Sequence, residues 1–348
     1  MEIQENIQLA PLTTLRVGGR ARYFLRANTV EDVQAGVAFA EARKLPVFVL
    51  GGGSNVLISD SGWPGLVLQI GISGIDHTHE GQTIRFIVGA GEDWDAFAAL
   101  CATRNMAGVE CLSGIPGSVG ATPVQNVGAY GQEVSQAIAS VLVLDLTDKQ
   151  VLEMDASDCE FGYRSSIFNA RERGRYIILR VTYELEHGAA PILRYADLQS
   201  NFAGRSEPPT LAEVRDAVLT IRASKGMLIT LGDSDSRSAG SFFKNPVLTT
   251  AQFEEVRQKA EARNLTVPSY PALSQQKKIS AAWLVENSGF TKGYVKGRAG
   301  ISSKHALALV NRGDATAAEI TALRDEIQQH VEQQWGIKLD PEPVLVGF

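Results

Sequence analysis

Short apolar runs of strand type alternate along the chain with longer segments whose apolar residues return every three or four positions. Arg22-Tyr-Phe-Leu-Arg26, Pro46-Val-Phe-Val-Leu50, Gly65-Leu-Val-Leu-Gln-Ile70, Arg85-Phe-Ile-Val88, Val141-Leu-Val-Leu-Asp145 and the run from Tyr176 to Tyr183 carry the β-branched and large apolar residues that strands favour. Thr29 and Asp32 form a capping-box pattern that predicts a helix to about Arg43. Helical spacing recurs in Asp93 to Arg104 (Trp94, Phe97, Leu100), in Leu211, Val214, Val218 and Ile221, and after Thr250 (Phe253, Val256, Ala260). It returns around Ala281 to Leu284, ended by Gly289, and from Asp314 to Gln334, with Ile320, Leu323, Ile327, Val331 and Trp335 on one face. These stripes read as core and carry no functional assignment. Leu339 to Gly347 reads as a terminal apolar strand with one embedded acid, Glu342. The alternation predicts an α/β or α+β organisation.

Two stretches break the pattern. Gly108 to Gly131 shows neither period, and Ser234 to Ser241 is a polar Gly/Ser-rich loop near a domain boundary. Asp76-His-Thr-His-Glu80 reads as a polar surface loop, and its His77 and His79 are not expected to bind metal.

At 348 residues the chain is long enough for two or three domains. It holds 33 Lys+Arg against 39 Asp+Glu, a net charge of −6 with no basic cluster, which argues against a general nucleic-acid binder. No apolar run approaches the roughly 18 residues that span a bilayer, and the polar start Met1 to Asn6 does not resemble a signal peptide. Cys101, Cys111 and Cys159 form no CxxC pair, so neither a disulfide framework nor a zinc site is expected, and a reducing cytoplasm is. The 33 glycines, about one residue in ten against a usual seven per cent, change the picture most.

Their placement marks the candidate chemistry. Gly51-Gly-Gly-Ser-Asn-Val-Leu57 follows an apolar strand, so its backbone N–H groups can face a pyrophosphate without Cβ obstruction, or simply make a tight turn. It is not GxGxxG, and a Rossmann site is not supported. Gly114-Ile-Pro-Gly-Ser-Val-Gly-Ala121 and Gln125-Asn-Val-Gly-Ala-Tyr-Gly131 make a rigid irregular loop whose backbone donors, with Gln125, Asn126 and Tyr130, suit a flat heterocycle. Two such loops without a Walker lysine point to a dinucleotide such as FAD more than to ATP. Arg164, within Phe161-Gly-Tyr-Arg-Ser-Ser166, reads as a surface cation or an anion ligand. Ser241, in Ala239-Gly-Ser-Phe-Phe-Lys-Asn-Pro246, is not in GxSxG and reads as a proton donor or a loop hydroxyl.

Taken in order, Thr14-Leu-Arg-Val-Gly-Gly19, Gly51 to Asn55, Ile115-Pro-Gly-Ser-Val-Gly120, Gln125 to Gly131, Phe161-Gly-Tyr-Arg164 and Gly240-Ser-Phe-Phe-Lys-Asn-Pro246 closely resemble the UDP-N-acetylenolpyruvoylglucosamine reductases, from about residue 10 to the end. Leu193-Arg-Tyr-Ala-Asp-Leu198 resembles the insertion by which one subtype covers substrate with a tyrosine, here Tyr195. The resemblance implies an α+β flavoenzyme with an FAD-binding fold of the vanillyl-alcohol-oxidase type. Its divisions would be residues 1–70 and 71–222 as FAD subdomains, 223–335 as a substrate domain, and 336–348 as a strand returning to the active site.

It further implies an oxidoreductase of cell-wall synthesis, in which NADPH reduces non-covalent FAD. Hydride then passes from flavin N5 to C3 of UDP-N-acetylglucosamine enolpyruvate. By resemblance, FAD would be held by Gly51, Gly52, Gly53, Ser54, Asn55, Val56 and Leu57, by Ile115, Pro116, Gly117, Ser118, Gly120 and Ala121, and by Asn126 and Gly128. Arg164 would stabilise negative charge, Ser241 would protonate C2, and Glu342 would assist, although Pro343 directly after it departs from the familiar pattern. Tyr130, Tyr163, Tyr195, Arg222, Lys225, Lys244 and Asn245 would contact substrate. A cytoplasmic monomer is expected, with no metal. The alternative is a flavin-dependent alcohol oxidase or dehydrogenase on the same fold, which leaves Ser241 and Glu342 without a role.

Overall fold

The computed structural model describes residues 2–272 and 275–348. The chain forms two compact units, each drawn from separate stretches of sequence. One comprises Met1–Ile7, Ala21–Gly53 and Trp63–Ser224, the other Gln8–Arg20, Ser54–Gly62 and Lys225–Phe348. Helices and strands are intermixed in both, an α+β content.

The first unit contains two sheets. One runs in the order Gln4–Gln8, Arg20–Ala27, Trp63–Ile70, Val47–Leu50, and its inner strands are parallel, with Phe24 opposite Val67 and Phe48 opposite the same residue. The helix Val30–Ala42 covers it with Val33, Val37 and Ala40. Gly36 permits the close approach, since a Cβ there would stand 2.8 Å from a Leu25 methyl. Only half of the predicted capping box forms: Thr29 Oγ1 accepts the Asp32 N–H, while the Asp32 carboxylate accepts from Asn28 N instead of Thr29.

The other sheet is antiparallel, in the order Val151–Asp155, Ile138–Asp145, Tyr176–His187, Thr83–Gly89, Ile75–Glu80, with Met106–Ala107 also paired to Tyr176–His187. The predicted helix Trp94–Thr103 is capped by Asp93 and buries Trp94, Phe97 and Cys101. Tyr183 packs its ring 5.0 Å from Phe97, and its hydroxyl lies 2.9 Å from that of Thr122. Trp94 Nε1 donates to the Leu112 carbonyl. These bonds anchor the aperiodic stretch Gly108 to Gly131 to the sheet. One expectation is corrected here: Asp76 to Glu80 is a strand rather than a loop, paired through Asp76–Ile87 and His77–Phe86. Gly81, at φ +67°, turns the chain back, and a partly solvated edge strand tolerates polar residues that hide its period.

The second unit is built on the helices Thr250–Glu261, Ala281–Glu286 and Ala317–Trp335. They bury Val256, Leu284, Ile320, Leu323, Ile327, Val331 and Trp335 together with Leu57, Phe242 and Phe243. The stretch Ser54–Gly62, placed by the sequence in a first FAD subdomain, clusters here because Val56–Ile58 pairs in parallel with Val344–Val346. Asp60 then caps the long helix, accepting from Ala317 N at 2.8 Å and Ala318 N at 3.0 Å, a contact of about 1 kcal/mol. The terminal strand is shorter than expected: Glu342 precedes it, between Pro341 and Pro343, which lack the N–H that a ladder needs. Among the described residues no helix is long and apolar enough to cross a membrane.

In the first unit, Arg175 holds the buried Asp145 carboxylate by Nε and by Nη2 at 2.6 Å, and Thr147 N adds a third donor. The Arg175 bonds hold the Asp145 pKa down at about 2, below the usual value of about 4. A depressed carboxylate stabilises the fold above its unfolded pKa and loses that contribution as pH falls through the folded one. Asp145→Asn should therefore lower the urea midpoint at pH 7, and its deficit against the parent should shrink between about pH 4 and pH 2. A constant deficit across that window would show that Asp145 acts by shape alone.

Candidate active site

In the first unit the two glycine loops meet backbone to backbone. The strand Val47–Leu50 delivers Gly51 to Gly53 against the loop 115–121. A Cβ on Gly52 would lie 2.6 Å from Gly117 Cα and 3.0 Å from Ser118 N, and one on Gly51 would lie 2.7 Å from Ser118 Oγ. The second loop is held by Trp94 N on the Gly117 carbonyl, Val119 N on Glu92 O and Gly120 N on Ala90 O. Ile115 packs on the core, Pro116 is half-buried, and Ala121 lies 3.5 Å from the Cβ position of Gly51. Ser118 Oγ is buried, and among the described residues it has no hydrogen-bond partner. A buried hydroxyl without a partner costs free energy unless a ligand engages it. With the Cβ-free surface beside it, Ser118 suits a phosphate-bearing ligand such as FAD.

The other half of that first cluster has different work. Ser54, Asn55, Val56 and Leu57 fall in the second unit, where Leu57 is fully buried and Val56 and Leu57 pair with Val344 and Leu345. Asn55 Nδ2 donates to the Glu342 carbonyl at 3.3 Å.

Arg164 sits on the next loop of the first unit at φ +53° and donates from Nη2 to the Gly128 carbonyl at 2.8 Å. Its guanidinium carbon lies 5.8 Å from the Tyr163 ring centre. Asn169, absent from the sequence reading, holds the Arg164 carbonyl through Nδ2. Asn126 is buried, and its amide serves the loop itself, donating to Glu133 Oε2 and Gly162 O and accepting from Ser135 N.

Tyr130 and Tyr195 meet edge to face with ring centres 5.4 Å apart, so Tyr195 lies against the glycine-rich loop. Tyr195 keeps 42% of its surface exposed, and Tyr163 keeps 41%. Arg222 is buried, with Nε on the Gly114 carbonyl at 3.1 Å. Burial pushes its pKa down, and the neighbouring Tyr130 and Asp95 oppose that push. Asp95 binds Arg215 through both oxygens, at 2.6 and 2.9 Å, and accepts from Gly114 N. Burial alone would raise the Asp95 carboxyl, but Arg215 and the Gly114 N–H outweigh it and hold the pKa below its ordinary value. Sequence reasoning missed Asp95 and Arg215. The available signal was the seven-residue spacing of Arg215 and Arg222, which places both on one helix face.

In the second unit the Ser241 and Glu342 segments run side by side. Glu342 N donates to Phe242 O, Lys244 N donates to Asp340 O, and Phe243 bridges Pro341. Ser241 Oγ lies 3.0 Å from His305 Nε2, a residue the sequence reading passed over because a lone histidine in Ser-Lys-His-Ala shows no spacing signal. Asn245 caps the helix Ala281–Glu286, its Oδ1 accepting from Ala281 N at 2.9 Å. Lys225 and Lys244 are half-buried.

Comparison with known proteins gives this geometry a family. Residues 21–154 match the family described as FAD binding domain, and residues 232–346 match the C-terminal domain of UDP-N-acetylenolpyruvoylglucosamine reductase. The crystal structure of UDP-N-acetylenolpyruvylglucosamine reductase from Thermus caldophilus shares the fold, with a TM-score of 0.65 at 24% identity over 99% of each chain. The UDP-N-acetylenolpyruvoylglucosamine reductase of Streptomyces coelicolor is 45% identical over 97% of this chain and 89% of its own length. That of Thermobifida fusca is 44% identical over 98% of this chain and 97% of its own length, and the chain therefore belongs to the UDP-N-acetylenolpyruvoylglucosamine reductase family.

Proposed function

We propose that this reductase works through Arg164, Ser241 and Glu342, with FAD held by the glycine loops of the first unit. The observation that carries the cofactor assignment is the buried Ser118 hydroxyl beside Gly51, Gly52 and Gly117, without a hydrogen-bond partner among the described residues. Gly120, Ala121, Ile115 and Pro116 complete that surface, and residues 54–57, Asn126 and Gly128 are assigned to FAD as well. Bound FAD, reduced by NADPH, supplies a hydride to C3 of the enolpyruvyl group, which turns UDP-N-acetylglucosamine enolpyruvate into UDP-N-acetylmuramate.

The chain's own residues manage charge and proton. Negative charge accumulates at C2 and on the neighbouring carboxylate as C3 gains hydride. A guanidinium offers fixed N–H donors to that charge, and the bond from Arg164 Nη2 to the Gly128 carbonyl sets its position on the loop. Ser241 gives its hydroxyl proton to C2 as general acid. Glu342, hydrogen-bonded through its backbone to Phe242, orients substrate next to the serine. For the diphosphate, the half-buried Lys225 and Lys244 rank first as compact ammonium charges, with Arg222 and Asn245 beside them. Tyr130, Tyr163 and Tyr195 offer aromatic faces to the substrate.

The divisions 1–70 and 71–222 are assigned to FAD, 223–335 to substrate and 336–348 to the active-site strand. A cytoplasmic, monomeric enzyme is proposed. The three cysteines are free, and burial pushes their thiols up to about 12, as suits a reducing compartment.

Purified protein should be yellow, NADPH should bleach it without oxygen, and UDP-N-acetylglucosamine enolpyruvate should restore the colour. Indifference to that substrate with rapid reaction toward oxygen would favour the alcohol-oxidase reading instead. Gly52→Ala forces a Cβ into Gly117 and should yield folded protein that loses FAD on gel filtration; full retention would remove Gly52 from the site. Ser241→Ala should slow reoxidation by substrate about 10²- to 10⁴-fold and leave reduction by NADPH unchanged, whereas equal loss in both halves would make Ser241 structural.

A further inference from the structure

We infer that His305 is a positioning residue for Ser241, donating its Nε2–H to the serine oxygen so that the serine proton points to the substrate carbon. The inference rests on the reading of Ser241 as general acid. A hydroxyl has one proton and two acceptor lone pairs. At 3.0 Å the Ser241 Oγ and His305 Nε2 share one hydrogen bond, and a proton spent on the imidazole is not available to C2. Serine therefore works as an acid here only with the imidazole as donor.

That donor also answers the difficulty of a serine acid, whose conjugate base is too unstable to form unaided. As the C2–H bond forms, the serine O–H bond breaks, the Nε2–H holds the charge left on oxygen, and water afterwards returns a proton to it. The arrangement is that of a preorganised donor aimed at developing charge.

The surroundings of His305 are built to hold it still. Ser302 N donates to Ala308 O, Ala308 N to His305 O, and Lys304 N to Ser302 Oγ. Two carboxylates grip the same loop: Asp235 takes Ser303 N and Oγ, and Asp233 takes Lys304 Nζ at 2.8 Å. Phe242 N, next to Ser241, donates to Leu307 O at 2.8 Å, so both partners of the hydrogen bond are tied to one framework.

The test uses the FAD-loaded enzyme under anaerobic stopped flow. His305→Ala should slow reoxidation by UDP-N-acetylglucosamine enolpyruvate about 10²-fold, with reduction by NADPH unchanged. His305→Gln, which keeps an N–H donor, should recover to within about tenfold of the parent. Because His305 acts through the serine, the pair Ser241→Ala, His305→Ala should be no slower than Ser241→Ala alone. In ¹⁵N-histidine spectra of the resting protein, the His305 Nε2 should carry a proton, and its resonance should move in Ser241→Ala.

Normal reoxidation in His305→Ala, loss spread equally over both half-reactions, or additive loss in the double variant would overturn the inference while leaving Ser241 as acid. Normal reoxidation in Ser241→Ala would instead remove the underlying assignment. If His305→Ala does not fold, the spectrum decides, and an unprotonated Nε2 overturns the proposal.

Discussion

The second unit depends on the parallel pairing of Val56–Ile58 with Val344–Val346. These segments lie near opposite ends of the chain, and bringing them together carries a loop-closure cost that grows only slowly with separation. What holds them is a continuous set of bonds: Val344 N on Asn55 O, Ser59 N on Val346 O, the register pairs between them, and Asp60 on the helix Ala317–Trp335. Gly347, at φ +75°, passes so close to Gly62 that a Cβ would stand 2.2 Å from its carbonyl. This clamp places Glu342 at the head of the strand, and from there Glu342 N reaches Phe242 O beside Ser241.

In the first unit the corresponding constraint is steric. Gly52 faces the backbone of Gly117 and Ser118 at distances that leave no room for a Cβ, and Gly51 faces the Ser118 hydroxyl. The result is a surface of backbone dipoles with one buried hydroxyl, and at such short range fixed donors outweigh the net charge of −6.

Charged groups divide by burial. Arg222 and the Asp95–Arg215 pair fasten Gly114, the turn that opens the second glycine loop. Arg164 is set on its loop by the bond from Nη2 to the Gly128 carbonyl. The buried Arg222 is thus part of the scaffold that shapes the glycine loop.

The longer helices, the longer apolar strands, the two glycine loops and the order of motifs that marks the family are legible in the sequence, because periodicity, caps and glycine runs are local. The sequence did not reveal the strand Ile75–Glu80, whose polar residues sit on a hairpin held by cross-strand bonds, nor the division of Gly51 to Leu57 between two units. The fold alone paired Ser241 with His305, set Arg222 on Gly114, turned Asn126 and Asn245 to structural bonds and left the Ser118 hydroxyl without a hydrogen-bond partner among the described residues. A side chain's role follows from what faces it, and the facing residues here come from 9 to 108 positions away.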